Sequence, residues 1–180
     1  MTGEDHRMTR ALLLERFRWA DGHADLWPVF RDGAAFAEVV KALAEPFRDA
    51  GVTAVCGIES RGFLLGGAVA LELGVGFAAV RKAAGLFPGE KLTRETDPDY
   101  RGFRHVLRMQ RSALSPGDRV LLVDDWIETG SQALAVRDLV TGAGTELVGC
   151  AVVVDQLDPA KRARVGRVHG LLAAEELPDC

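Results

Sequence analysis

The chain has 180 residues, 48% of them apolar and 27% charged, which excludes disorder and collagen-like order and suits one domain with its own core. Its 22 basic and 26 acidic side chains leave a net charge of −4, which argues against gripping nucleic acid by broad phosphate neutralisation. Cys56, Cys150 and Cys180 have no metal-ligand spacing and fit no closed disulfide framework, so a reducing cytoplasm is the simplest setting.

The opening Glu4-Asp5-His6-Arg7 is unlike a secretory signal. Residues 10–20 are helix-compatible, and 22–32, rich in turn formers, reads as an irregular entry. From Gly33 to Ala50 the apolar Phe36, Val39, Val40, Leu43 and Phe47 recur at helical steps, and Gly51 ends that helix. A strand is expected over 53–58, a helix over 61–73 and a strand over 77–80. The stretch 62–80 carries only one charge, Glu72, but its five glycines argue for a helix leading into a buried strand rather than a membrane span. After the turn Ser115-Pro116-Gly117-Asp118 come a strand over 119–123, a helix over 132–141 and a strand over 147–154.

Near-continuously apolar strands alternating with helices predict an α/β fold, a Rossmann-like parallel sheet of about five strands covered on both faces. The expected organisation is one domain over 1–180, with a core of about 33–155. The segment 83–102 shows no periodicity and reads as a flexible flap, because loops of that length in compact domains are usually functional. Residues 81–111 hold eight Arg or Lys and four acids, a local +4 against −8 for everything else. A basic flap on an acidic domain suits a small polyanion, although a solvated charged loop is the simpler alternative.

The chemistry concentrates in Arg119-Val-Leu-Leu-Val-Asp-Asp-Trp-Ile-Glu-Thr-Gly-Ser-Gln132. An apolar strand ends in Asp124 and Asp125, and Thr129, Gly130 and Ser131 lead into a helix. Ligands of open α/β sheets sit beyond such strand ends, and the helix start offers N–H groups and a favourable dipole to a phosphate. The two carboxylates could accept from sugar hydroxyls or meet a Mg²⁺ ion. Taken piece by piece, the same residues could be only a turn and a helix cap.

The whole string resembles the phosphoribosyl-pyrophosphate signature of the type I phosphoribosyltransferases. Further matches are similar to the adenine phosphoribosyltransferase branch: Phe30-Arg31-Asp32 before the first long helix, Gly57-Ile-Glu-Ser-Arg-Gly-Phe63, Arg81-Lys82 after a strand, Asp99-Tyr100-Arg101-Gly102 in the mobile catalytic loop, and Leu114-Ser-Pro-Gly-Asp-Arg-Val120. These span about residues 27–155 in family order. Trp126-Ile127 stands where the family has Leu-Leu. Glu128 stands where the adenine branch has Ala, at the place where the 6-oxopurine branch carries an Asp.

The resemblance implies transfer of ribose 5-phosphate from phosphoribosyl pyrophosphate to a purine-like nucleobase, with Mg²⁺ and release of pyrophosphate. It implies that Glu59, Ser60, Arg61, Lys82 and Lys91 meet the pyrophosphate, with a non-proline cis peptide near Glu59-Ser60. Asp124 and Asp125 would take the ribose hydroxyls and, indirectly, the metal. Thr129, Gly130, Ser131 and Gln132 would cradle the 5′-phosphate. Phe30, Arg31 and Trp126 would meet the base, Asp99 and Tyr100 would ride on the lid and close over the reacting centre as catalytic residues, and Glu128, also catalytic, would exchange a proton with the base. It also implies a homodimer, and a hood over the base built from 1–32, to which 156–180 could add. Arg61 could instead pair with Glu59, Lys82 could be a strand-end solvent charge, and Phe30 could be core. The competing functions are another heterocycle, such as a 6-oxopurine, and a non-catalytic sensor of phosphoribosyl pyrophosphate or nucleotide. A dehydrogenase or P-loop enzyme is disfavoured, since neither glycine-rich fingerprint occurs.

Overall fold

The structure is a computed structural model, and it describes residues 3–82, 88–99 and 101–179. It opens with α1 (Gly3–Arg16) and a hairpin of β1 (Arg18–Ala20) and β2 (His23–Asp25). The helix expected over 10–20 therefore stops at Arg16, and Trp19 lies on a strand. Asp21 and Gly22, at φ 50° and 73°, form the two-residue turn whose positive φ values match the twist of paired strands. After α2 (Trp27–Arg31), Asp32 caps α3 (Gly33–Ala44) by accepting from the N–H groups of Ala34 and Ala35. Its other oxygen takes Arg16 at 2.9 Å and ties α1 to that start.

Next come β3 (Ala54–Ile58), α4 (Arg61–Leu73), β4 (Gly76–Lys82), β5 (Lys91–Glu95), β6 (Val106–Gln110), β7 (Arg119–Ile127), α5 (Ser131–Gly142), β8 (Glu146–Asp155), α6 (Pro159–Val165) and β9 (Val168–Ala173). The sheet has the order β5-β6-β4-β3-β7-β8-β9. Five strands, β4-β3-β7-β8-β9, run parallel, while β5 and β6 form an antiparallel extension on β4. Two expectations change. The flap is not irregular throughout, because 91–95 pairs along β6. The segment after Asp155 supplies the fifth parallel strand, β9, at the sheet edge.

Alternation along β7 divides the interior. Leu121 and Val123 pack with the side chains of α1, α3 and α4, whereas Val120 and Leu122 pack with those of α5. Burying both faces makes these strands read as continuous apolar runs. The β3–α4–β4 unit winds toward one edge of the sheet and the β7–α5–β8 unit toward the other. The chain thus reverses its winding between β3 and β7, where open α/β sheets leave a crevice.

Candidate active site

A cleft of about 510 Å³ opens at that reversal, beyond the ends of β3 and β7. Its floor is β7, which runs on to Ile127 instead of stopping at Val123 because β8 pairs beside it as far as Ile127↔Asp155. Asp124 and Asp125 are therefore strand residues. A Cβ on Gly62 would stand 2.9 Å from Asp124 Oδ1, so glycine is what lets the first turn of α4 lie against this carboxylate. Asp125 N–H donates to the same oxygen at 2.9 Å. The Asp124 carboxyl is packed within the protein although the residue keeps some exposure. Burial raises it well above the usual carboxylate range, and the neighbouring Asp125 adds to the rise.

Arg61, at the start of α4, pairs with Asp125 Oδ2 at 2.9 Å and donates to the Ala24 carbonyl at 3.2 Å. The alternative pairing with Glu59 is not formed. Glu59 instead accepts from Arg81 at 3.1 Å and from Lys82 N–H at 3.1 Å. The Arg81 bond is the main reason its carboxyl lies below the ordinary range. Arg81 thus holds the loop while Lys82 faces the cleft. The Glu59–Ser60 peptide is cis, the geometry the resemblance implies.

On the other side, Thr129 donates to Ser131 Oγ at 3.0 Å and accepts from Ser131 N–H at 3.3 Å. Gly130, at φ 74°, turns the chain into α5, and a Cβ there would meet Val165 at 2.8 Å. The turn therefore rests on α6, which the sequence did not announce. Glu128 also lines the cleft; burial raises its carboxyl, Lys161 opposes the rise and Asp99 adds to it.

Of the expected site residues, the cleft brings together Glu59, Ser60, Arg61, Lys82, Asp99, Asp124, Asp125, Trp126, Glu128, Thr129, Gly130, Ser131 and Gln132. Tyr100 lies outside the described residues. Three others are elsewhere. Phe30 makes edge contacts with Trp27 and Phe36, and with Arg31 it lines a separate surface groove, because its ring packs against the core beside α3. Lys91 is exposed at the start of β5, paired with Gln110. In place of Phe30 and Arg31 the cleft has Trp19, His23 and Ala24 from the hairpin and Gln156 after β8. Trp19 lies 6.3 Å from Trp126 between ring centres, and Trp126 Nε1 donates to Gln156 at 2.9 Å. The Asp21-Gly22 turn between Arg18-Trp-Ala20 and His23-Ala-Asp25 was the available signal for this wall.

Residues 29–171 match the phosphoribosyl transferase domain model. The adenine phosphoribosyltransferase of Streptomyces coelicolor is 42% identical over 141 residues, 78% of this chain and 76% of its own length. The solved adenine phosphoribosyltransferase of Rhodothermus marinus superposes with a TM-score of 0.83 at 36% identity, over 93% of this chain and 99% of that one. The Saccharomyces cerevisiae enzyme, solved with adenine and an imino-altritol bisphosphate, gives 0.81 at 32% identity over 92% and 99%. The match to the domain model and the identity to these relatives show that the chain belongs to the type I phosphoribosyltransferase family, in its adenine phosphoribosyltransferase branch.

Proposed function

We propose that the chain transfers ribose 5-phosphate from phosphoribosyl pyrophosphate to a ring nitrogen of adenine. The sugar C1–O bond to pyrophosphate breaks, a C1–N bond forms, and the base loses its N–H proton. The observation that carries this reading is the acid pair on β7 in one cleft with two helix starts, one with Arg61 and one with Thr129, Gly130 and Ser131, and with Lys82 at the end of β4. In this reading Arg61 and Lys82 meet the departing pyrophosphate, whose charge grows as the bond breaks. Asp124 and Asp125 fix the ribose hydroxyls and the α5 start retains the 5′-phosphate. Trp126 and Trp19 flank the base, and Glu128 takes its proton.

Among the described residues no group of three His, Cys, Asp or Glu side chains could hold a metal ion, and Asp125 is already paired with Arg61. This donor set fits a Mg²⁺ ion brought by the substrate, which Asp124 and Asp125 would hold through water. Such an ion would neutralise leaving-group charge.

The chain works, in this reading, as a two-fold dimer in the cytoplasm. Exposed Trp27 and Leu64, 58% and 39% accessible beside the groove at Phe30, offer apolar surface for the contact. Sedimentation at micromolar concentration should give twice the 19.4 kDa of one chain. For the reaction, pyrophosphate release from phosphoribosyl pyrophosphate and Mg²⁺ should be screened over purine and pyrimidine bases. Release with adenine supports the proposal, release only with a 6-oxopurine moves the substrate, and none with any base leaves a sensor.

A further inference from the structure

Beside the cleft, the β5–β6 hairpin, read as the lid, ends in a tip whose described residues, 96–99 and 101–105, fold back on themselves. Thr96 N–H donates to the His105 carbonyl and His105 N–H donates to the buried Thr96 hydroxyl, each at 2.9 Å, which closes the tip at its root. Within it, Asp99 N–H donates to the Phe103 carbonyl and Gly102 N–H to the Asp99 carbonyl, both at 2.9 Å. The Asp99 carboxylate fills the middle. Its Oδ1 accepts from Arg101 and Phe103 N–H at 2.9 Å each, and its Oδ2 lies 3.0 Å from His105 Nε2.

A carboxylate has about four acceptor sites, so three filled from within the tip leave little for a substrate. Asp99 nevertheless lines the cleft, and its side chain is only 16% exposed, so water would replace a lost donor poorly. Two of its three donors are backbone groups that follow from the turn itself. The third is the one side chain in the set. Nε2–H is present in the imidazolium and in one neutral tautomer, and in both it donates to Oδ2.

We propose that His105 is a positioning residue of the lid: by donating to Asp99 it locks the turn that holds Asp99 at the rim of the cleft. Asp99 is then the organiser of the lid tip, not a group that reacts with the base or sugar. The proposal rests on the phosphoribosyl-transfer reading, because it is through the lid that the pair would act on turnover.

The test compares the full-length parent with His105→Leu and His105→Gln, the glutamine placing an N–H donor where Nε2 stands. His105→Leu should lower kcat about tenfold or more, the worth of a hydrogen bond to a charged group, with KM for phosphoribosyl pyrophosphate unchanged. His105→Gln should recover most of the loss. In a cycle with Asp99→Ala, the double variant should lose no more than Asp99→Ala alone, since the two act through one contact. A second readout needs no activity. Trypsin without ligand should cut after Arg101 and Arg104, both exposed in the tip, faster in His105→Leu than in the parent, and near the parental rate in His105→Gln. The proposal is overturned if His105→Leu keeps both kcat and the parental cleavage pattern. It is equally overturned if His105→Gln is no better than His105→Leu, or if the two losses multiply. A parent that releases no pyrophosphate with any base would defeat the transferase reading instead, and the trypsin comparison would still decide the lid pair.

Discussion

Two helix starts face each other across the cleft, and they are built from opposite chemistry. The start of α4 carries Arg61, leans on the Asp124 carboxyl through Gly62, and shares the cleft with Lys82. The start of α5 carries no cation: Thr129 and Ser131 bond each other, and Gly130 turns the backbone inward. Both offer the N–H groups and dipole that any helix start offers an anion. In the proposed reading this difference sorts the two phosphates of the substrate between the two starts. A group that leaves needs positive charge aimed at what develops on it, whereas a group that stays needs neutral donors that bind it equally before and after the reaction.

Glu128 is the residue most able to break that contrast, since a charged carboxylate beside the α5 start would repel a phosphate. Burial raises its carboxyl, which eases the conflict and suits it to take a proton from the base. Glu128→Gln should lower turnover by about 10²–10⁴ while phosphoribosyl pyrophosphate binding is kept. Its sign in a pH profile follows. A base with a raised folded-state value becomes active only as pH rises through that value, so the acid limb of kcat/KM should lie above the ordinary Glu value of about 4.3 and vanish in Glu128→Gln. Turnover at the parental rate in that variant would remove the acid–base role.

Gly130→Ala should come next, at about 10² in kcat/KM, because its Cβ meets Val165 and the positive φ is strained, which displaces the donors of the turn. Rates for Gly67→Ala, inside α4 with nothing within 4 Å of the added Cβ, should be parental. Asp124→Asn probes the other helix start through stability. Its raised folded value means the folded state holds its proton more tightly, so stability is full at low pH and falls as pH rises through the unfolded and then the folded value. Removing that burden should stabilise the protein by about 0.5–2 kcal/mol at pH 8, roughly 2–4 °C in Tm per kcal/mol, while activity is lost. A lower Tm at pH 8 would show that the carboxylate is compensated. The smallest effect is expected from Arg31→Ala, outside the cleft, which should leave base KM unchanged, whereas Trp19→Ala should raise it.

The parallel core was legible because its signals are local and redundant. The helix over 61–73 has the expected bounds, with Gly74 closing it in the left-handed conformation, and the strands over 53–58 and 147–154 lie within a residue or two of β3 and β8. The motif on β7 was legible as chemistry, yet its apolar run stops at the acids, and only the pairing with β8 carries the strand on to Ile127. The strand β5 has one buried residue, Leu92, among four exposed ones, so no periodicity could mark it; its order comes from β6. The helix α6 and strand β9 are held by contacts with the α5 turn and β8 that no local pattern encodes. The cleft wall beside Trp126 was missed for another reason. Phe30-Arg31 carried the resemblance, but it is the hairpin that brings Trp19 and His23 to the cleft.

The contrast between the helix starts is tested most directly by titrating inorganic pyrophosphate and AMP, each with Mg²⁺, into the parent, Arg61→Met and Thr129→Val by calorimetry. The account predicts a crossed result. Arg61→Met should weaken pyrophosphate about tenfold or more and leave AMP unchanged, and Thr129→Val should do the reverse. Parallel losses for both ligands in both variants would contradict the assignment of the two phosphates to the two helices.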